Sequence, residues 1–94
     1  MKFIAIEKVI LGVGQDDLKP YLEEESKKVW ELHKSGYLRE IYFTENRDAV
    51  LILECSDKEE ALNILKELPL VKNNLIEFLL NELHPYEGYE RLFR

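Results

Sequence analysis

Three segments of this sequence are apolar on both sides of an extended chain, and this double pattern limits the folds open to it. Successive side chains of a strand point to opposite faces, so an antiparallel sheet with one wet face alternates apolar and polar residues. Here both sets are apolar: Phe3, Ala5 and Val9 oppose Ile4, Ile6 and Ile10; Ala49, Leu51 and Leu53 oppose Val50 and Ile52; Ile76, Phe78 and Leu80 oppose Leu75, Leu79 and Leu83. The sequence therefore predicts a sheet that must be covered on both faces.

Residue types and breakers along the chain predict four strands and two helices. Strands are expected at 2–11, 37–44, 49–55 and 75–83, with a polar hairpin turn at 45–48. The first helix is expected at 18–35, capped by Asp16 or Asp17. Its buried stripe is expected to contain Leu18, Leu22, Val29, and Leu32 or His33. A capping box of Ser56 and Glu59 is expected to start the second helix, and Pro69 to end it.

The order βαββαβ predicts one ferredoxin-like α+β domain over residues 1–94. Two helices pack on one face of a four-stranded antiparallel sheet in this arrangement. They cannot cover both apolar faces, so we expect an identical sheet from a second copy to cover the other, in a homodimer. Segment 84–94 is expected to be an ordered extension, because it carries Tyr86, Tyr89, Leu92 and Phe93.

Charge and cysteine content restrict the possible partners and compartment. Thirteen basic and nineteen acidic residues give a formal net charge of −6, which disfavours nucleic acid and anionic membrane surfaces as partners. The N-terminal apolar run is interrupted by Glu7 and Lys8, and it is typical neither of a signal peptide nor of a membrane span. Cys55 is the only cysteine, so the expected compartment is the reducing cytoplasm. The two histidines lack ligand-spaced companions, and no metal site is expected.

Several fragments together resemble the muconolactone isomerase-like family of the dimeric α+β barrel superfamily. They are the element order, the step Ser35-Gly36-Tyr37-Leu38-Arg39, the run Glu67-Leu68-Pro69-Leu70, and a last strand that ends before His84-Pro85. The similarity is strongest over 36–85. The resemblance implies a homodimer, with possible assembly of further dimers, and a small-molecule pocket between the sheet and helices of each subunit. It also implies an isomerisation by proton transfer without metal or organic cofactor.

Such an isomerisation needs a base to remove a C–H proton and a donor to stabilise the enolate. The candidate catalytic residues are Glu7, Glu54 and Glu82 on the strands and His33 on the first helix. Arg39 is the candidate for binding a substrate carboxylate, since its planar guanidinium matches that group. Trp30 and Tyr42 are candidate aromatic walls of the pocket. The alternative role for the charged residues is in structural ion pairs, and for the aromatics in the core or an interface.

The leading hypothesis is therefore a cofactor-free isomerase acting on a small, partly apolar, anionic molecule. A non-catalytic homodimer, either ligand-binding or structural, is the first alternative. A cofactor-independent monooxygenase is the second. The residues themselves do not choose among these three.

Overall fold

A four-stranded antiparallel sheet organises the structure, a computed structural model that describes residues 1–94. The strands are β1 (Lys2–Val9), β2 (Leu38–Phe43), β3 (Ala49–Glu54) and β4 (Ile76–Leu83), in the order β2-β3-β1-β4. The helices are α1 (Gln15–Leu18), α2 (Leu22–Lys34), α3 (Lys58–Lys66) and α4 (Pro69–Lys72), with short 3-10 helices at Lys19–Tyr21 and Gly88–Leu92. The predicted ferredoxin-like α+β class is confirmed.

The helices pack on one face of the sheet, which we call the helix face. β1 pairs with both β3 and β4, so that Phe3 lies opposite Leu53 and Ala5 lies between Leu51 and Leu80. These side chains and the apolar sides of the helices form one core cluster: Phe3, Ala5, Leu32, Leu38, Leu51, Leu53, Cys55, Ala61, Leu65 and Leu68. Burial of this apolar surface is the main stabilising contribution to the fold.

The other face of the sheet, which we call the open face, is also apolar, and no element of the chain covers it. Ile6 pairs there with Val50 and Leu79, and Leu79 remains 58% exposed. Its apolar side chains are Ile4, Ile6, Tyr42, Val50, Ile52, Leu79 and Leu83. The sequence-based prediction of two apolar faces is confirmed.

A β-bulge in β2 determines which of its residues face the helices. The register shifts between Leu38 and Glu40, so Arg39 is the additional residue. After this shift, Ile41 and Phe43 lie beside Leu51 and Ala49 on the helix face. A strand without the bulge would place both side chains on the open face.

The region predicted as one helix at 18–35 is divided, and that prediction is wrong in its continuity. Helix α1 ends at Leu18, Pro20 lies in the 3-10 helix, and α2 begins only at Leu22. Neither Asp16 nor Asp17 is the N-cap, which is Gly14; the Asp17 carboxylate, at the third residue of α1, accepts a hydrogen bond from Gly14 N at 2.8 Å. Within α2 the buried position is Leu32, whereas His33 is exposed.

The second helical region differs from its prediction by one residue at the start and by a break near the end. Asp57, rather than Ser56, is the N-cap: its carboxylate accepts from Glu60 N at 2.8 Å, and the Glu60 carboxylate accepts from Ser56 N at 3.0 Å. Helix α3 ends before Leu68, whose extended backbone is the conformation favoured before proline. Pro69 therefore starts α4 rather than only ending α3.

The C-terminal segment after β4 extends beyond the sheet. It includes the 3-10 helix Gly88–Leu92, and the rings of Tyr86 and Tyr89 meet edge to face with centroids 5.0 Å apart. Tyr86, Tyr89, Leu92 and Phe93 are all exposed.

Two leucines of α3 offer a matched test of the core. Leu65 is 4% exposed and Leu62 is 39% exposed, on the same helix. We expect Leu65→Ala to lower the free energy of unfolding by about 2–5 kcal/mol, because it leaves a cavity. Leu62→Ala is expected to lower it by less than about 1 kcal/mol, because that side chain is already more than a third exposed and its removal leaves no closed cavity. Urea denaturation at equal protein concentrations measures both; equal losses would contradict the helix orientation.

Candidate functional site

A cavity of about 310 Å³ lies between the helix face of the sheet and helix α2. This volume is at the lower end of the range for small-molecule sites. Nine of its thirteen lining residues are apolar, and the four others are Glu7, Glu25, Ser26 and Arg47. The apolar residues are Leu18, Leu22, Val29, Ile41, Phe43, Ala49, Leu70, Ile76 and Phe78. A pocket between the sheet and helices is where the family resemblance implies one.

Two carboxylates enter this apolar cavity from different elements. Glu7 comes from the middle of the sheet, on β1, and its Oε1 accepts a hydrogen bond from Ala49 N at 2.7 Å. Glu25 comes from α2, and its Oε1 accepts from Leu70 N at 3.0 Å, in the first turn of α4. Each carboxylate is thus held through one oxygen, and the second oxygen makes no hydrogen bond with the protein.

The environment of Glu25 favours its neutral form. Burial raises the pKa of Glu25 above its ordinary value of 4.5, and the like charge of Glu7 raises it further. The hydrogen bond from Leu70 N acts in the opposite direction, because it stabilises the charged form, but it is the smaller effect. The two like groups therefore share one cavity in which the charged form of Glu25 is disfavoured.

The raised pKa of Glu25 also has a consequence for stability. In the folded protein the carboxyl keeps its proton at pH values where the unfolded chain has lost it. Its contribution to the free energy of unfolding is therefore full below pH 4.5 and decreases as pH rises through the pKa of the folded state.

Arg47 supplies the only positively charged side chain of the cavity. Its guanidinium carbon lies 4.2 Å from the centroid of the Phe43 ring, within the range of a cation–π interaction. Its backbone has φ of 68°, in the left-handed region that non-glycine residues rarely occupy. The hairpin turn holds it there through a hydrogen bond from Arg47 N to Thr44 O at 2.9 Å.

Of the predicted catalytic residues, the structure places only Glu7 in this cavity. Glu54 lies on the open face; its Oε2 is sealed from solvent, makes no hydrogen bond and is 3.2 Å from the N-terminal ammonium of Met1. Glu82 lies at the far end of the helix face, where its carboxylate contacts His84 Nε2 at 2.9 Å. His33 is exposed on α2.

The predicted binding residues also lie outside the cavity. Trp30 is on the exposed side of α2 and stacks on His33, with ring centroids 5.6 Å apart. Arg39 donates from Nε to Gly36 O at 2.7 Å, at the bulge of β2. Tyr42 lies on the open face and donates from its hydroxyl to the Glu40 carboxylate at 2.6 Å, a bond that raises the pKa of Tyr42.

Sequence reasoning missed Glu25 and Arg47. The signal for Glu25 is present in the sequence: positions 18, 22, 25, 29 and 32 recur at spacings of four and three, so Glu25 fills a gap in the apolar stripe of the helix. A charged residue in a buried stripe is a candidate for function. Arg47 carries no such signal, because its position depends on how the hairpin turn folds.

Outside the cavity, Glu82 and His84 are in contact, whereas the Cys55 thiol is not activated. Burial raises the pKa of the Cys55 thiol, which keeps it in the protonated, weakly nucleophilic form. No group of three His, Cys, Asp or Glu side chains is arranged to hold a metal ion. None of the helices has the length and apolar character that crossing a membrane requires.

Comparison with solved structures identifies proteins of the same fold. Muconolactone isomerase superposes with a TM-score of 0.74 at 14% identity, covering 94% of this chain and 93% of that one. The 5-chloro-2-hydroxyhydroquinone dehydrochlorinase TftG from Burkholderia phenoliruptrix AC1100, in complex with 2,5-dihydroxybenzoquinone, gives 0.64 at 14% identity over 93% and 97%. A protein of Agrobacterium tumefaciens gives 0.52 at 16% identity over 94% and 96%.

These similarities confirm the predicted resemblance at the level of the fold. The identities are too low to carry a reaction or a set of catalytic residues from one protein to another. No family model and no curated protein matches the sequence. The lining residues of the cavity are therefore the basis for any reaction assigned to this chain.

The coupling between the two cavity carboxylates can be measured directly. We expect Glu7→Gln to lower the pKa of Glu25, because it removes the like charge that raises it. Titration of the side-chain carboxyl carbons by ¹³C NMR gives this pKa. Glu54→Gln is the matched control, since Glu54 lies on the other face of the sheet, and it should leave the pKa of Glu25 unchanged. The same pKa in wild type and Glu7→Gln would show that the two groups do not share one site.

Proposed function

We propose that this protein is a cofactor-free isomerase that moves a proton within a small, partly apolar, anionic molecule bound in the cavity. The observation that carries the proposal is the pair of carboxyl groups, Glu7 and Glu25, in one mostly apolar cavity whose single cation, Arg47, forms no ion pair with either. Structural ion pairs satisfy buried charge with an opposite charge, whereas these two groups have the same charge. Such an arrangement is costly for folding and is typical of acid–base sites.

The mechanism assigns the two carboxyl groups complementary roles. The Glu7 carboxylate takes a proton from a carbon next to a carbonyl group, and the electron pair of that C–H bond moves into an enolate. In its protonated form, which burial favours, the Glu25 carboxyl donates a hydrogen bond to the enolate oxygen and stabilises it. Glu7 then returns its proton to a different carbon. The double bond has moved, both carboxyl groups are restored, and no electron acceptor is required.

The walls of the cavity suit this chemistry in size and polarity. A volume of about 310 Å³ accommodates a molecule of roughly one ring. The mostly apolar lining lowers the local polarity and so strengthens the hydrogen bond that stabilises the enolate. The backbone N–H groups of Ala49 and Leu70 fix both carboxylates in place before a substrate enters.

The proteins that share this fold are consistent with such a site. One is an isomerase of muconolactone, and another is a dehydrochlorinase of 5-chloro-2-hydroxyhydroquinone solved with 2,5-dihydroxybenzoquinone. Both act on small oxygenated molecules. This similarity supports a small oxygenated substrate, and the Glu7–Glu25 pair supports the proton-transfer reaction.

Proton transfer is testable before the natural substrate is known. The protein is incubated in D₂O with small lactone acids and β,γ-unsaturated acids, and deuterium incorporation and double-bond shift are followed by ¹H NMR. We expect turnover of at least one compound, and Glu7→Gln should lower its rate by about 10²- to 10⁴-fold, the usual contribution of a general base. Glu25→Gln should also lower the rate, because an amide N–H is a weaker hydrogen-bond donor to the enolate oxygen than a carboxyl O–H.

The control is Glu82→Gln, on the same face of the sheet but outside the cavity, and it should keep the wild-type rate. Turnover that survives both Glu7→Gln and Glu25→Gln would contradict the mechanism. Binding without exchange would favour the non-catalytic alternative. Oxygen consumption with a quinol would favour the monooxygenase.

We further propose that the protein is a homodimer in which two open faces pack against each other. The observation is separate from the cavity: the open face presents seven apolar side chains that no part of the chain covers. Water-exposed apolar patches of this kind mark contact surfaces. An identical face brought in by a two-fold axis would cover these side chains with the same apolar set.

Leu79→Lys tests this interface. Leu79 is already 58% exposed in the isolated chain, so the substitution should leave a monomer folded, but it would bury a charge between two sheets. Sedimentation velocity is expected to show a dimer, or a multiple of dimers, for wild type and a monomer for Leu79→Lys. Leu11→Lys, at a fully exposed position outside the sheet, is the control and should remain dimeric. A monomeric wild type at high concentration would exclude the interface.

A further inference from the structure

We infer that Arg47, in the hairpin turn between β2 and β3, is the residue that selects substrates carrying a carboxylate. This inference rests on the proposed function and deepens it, because it names the group that recognises the anionic end of the substrate. The role belongs to Arg47 rather than to Arg39, the arginine favoured by the sequence alone. Arg39 lies outside the cavity, and its Nε is already bonded to Gly36 O.

Apart from its contact with the Phe43 ring, the guanidinium of Arg47 has no partner in the protein. It makes no ion pair and no side-chain hydrogen bond, although Glu45 and Asp48 are its neighbours in the chain. An arginine fork has five N–H donors, which suit two-point binding of a carboxylate. Arg47 lines the cavity and is exposed, so these donors are accessible to a ligand.

The ring of Phe43 holds this guanidinium in place. The contact of 4.2 Å restricts a side chain that would otherwise sample many rotamers in solvent. Phe43 also lines the cavity, so the same ring offers an apolar surface to the body of a ligand. A planar molecule with a carboxylate at one edge can contact both residues.

The backbone of Arg47 indicates a constraint at this position. A left-handed residue in a hairpin turn is ordinarily glycine, asparagine or aspartate, because a larger side chain is strained there. Arg47 nevertheless has φ of 68°, whereas the preceding residue, Asn46, does not have a positive φ. Strain of about 1–3 kcal/mol at a non-glycine residue is typical of a position kept for function.

Charge within the cavity gives a physical reason for the arginine. The Glu7 carboxylate would repel a substrate anion, and Arg47 is the only lining residue that can offset this charge. Arg47 lies two residues before Ala49, whose N–H donates a hydrogen bond to the Glu7 carboxylate. Arg47 itself forms no ion pair with that carboxylate. A ligand carboxylate can therefore bind the guanidinium while the rest of the molecule lies against the acid–base pair.

Binding of benzoate and its neutral analogue benzamide separates charge recognition from packing. Both are titrated into ¹⁵N-labelled protein at pH 7, and dissociation constants are taken from amide shifts of the cavity residues. We expect benzoate to bind wild type more tightly than benzamide. Arg47→Ala should weaken benzoate by about tenfold or more, the effect of losing a charged hydrogen bond, and leave benzamide nearly unchanged. Arg39→Ala, the matched control on the same hairpin, should change neither constant.

Three results would overturn the inference: benzoate that does not bind wild type, benzoate that shifts amides only outside the cavity, or equal losses of both ligands in Arg47→Ala. Arg47→Lys keeps the charge without the planar fork and should recover part of the benzoate affinity.

A failure of the proposed proton transfer can be distinguished from a failure of the inference about Arg47. Glu7→Gln should abolish proton exchange but retain benzoate binding, since it removes only a repelling charge. If Arg47→Ala left benzoate binding intact while Glu7→Gln abolished exchange, the inference would fail and the proposed reaction would stand.

Discussion

The pairing of β1 with both β3 and β4 is the interaction on which the rest of the structure depends. This register puts Phe3 and Ala5 against the helices and leaves Ile4 and Ile6 on the open face. It also places Glu7 on the helix face, two residues beyond Ala5. A shift of one residue would exchange the two faces and move Glu7 out of the cavity. One register thus determines the core, the open face and one of the two cavity carboxylates.

At the cavity, the stripe of α2 that faces the sheet contains a charged residue, whereas such stripes are ordinarily apolar. Leu22 and Val29 of α2 pack toward the sheet as the helical spacing requires, and Glu25 lies between them where a leucine would stabilise the fold more. The Leu70 N–H compensates part of this cost. Local departures from a sequence rule that the rest of the chain obeys are most often functional, and here the departure faces a second carboxylate.

The open face and the C-terminal segment are two apolar surfaces that the isolated chain leaves in water. The β2 bulge sends Ile41 and Phe43 to the cavity, so the open face is completed on that side by Tyr42 alone. A chain of 94 residues has a limited core, and covering such a face by association adds buried apolar area without lengthening the chain. The same bulge therefore separates the surface proposed for dimerisation from the wall of the cavity.

The sequence by itself determined the element order, the sheet class and the presence of two apolar faces, because strand and helix periods are local properties of the chain. It also contained Glu7 as a candidate. Tertiary structure decided the rest: that Glu25 meets Glu7, that Arg47 rather than Arg39 enters the cavity, and that Glu54 and Glu82 lie apart from it. These outcomes depend on a bulge, a left-handed turn and the approach of α4 to α2. Such features join residues distant in sequence, and periodicity has no information about them.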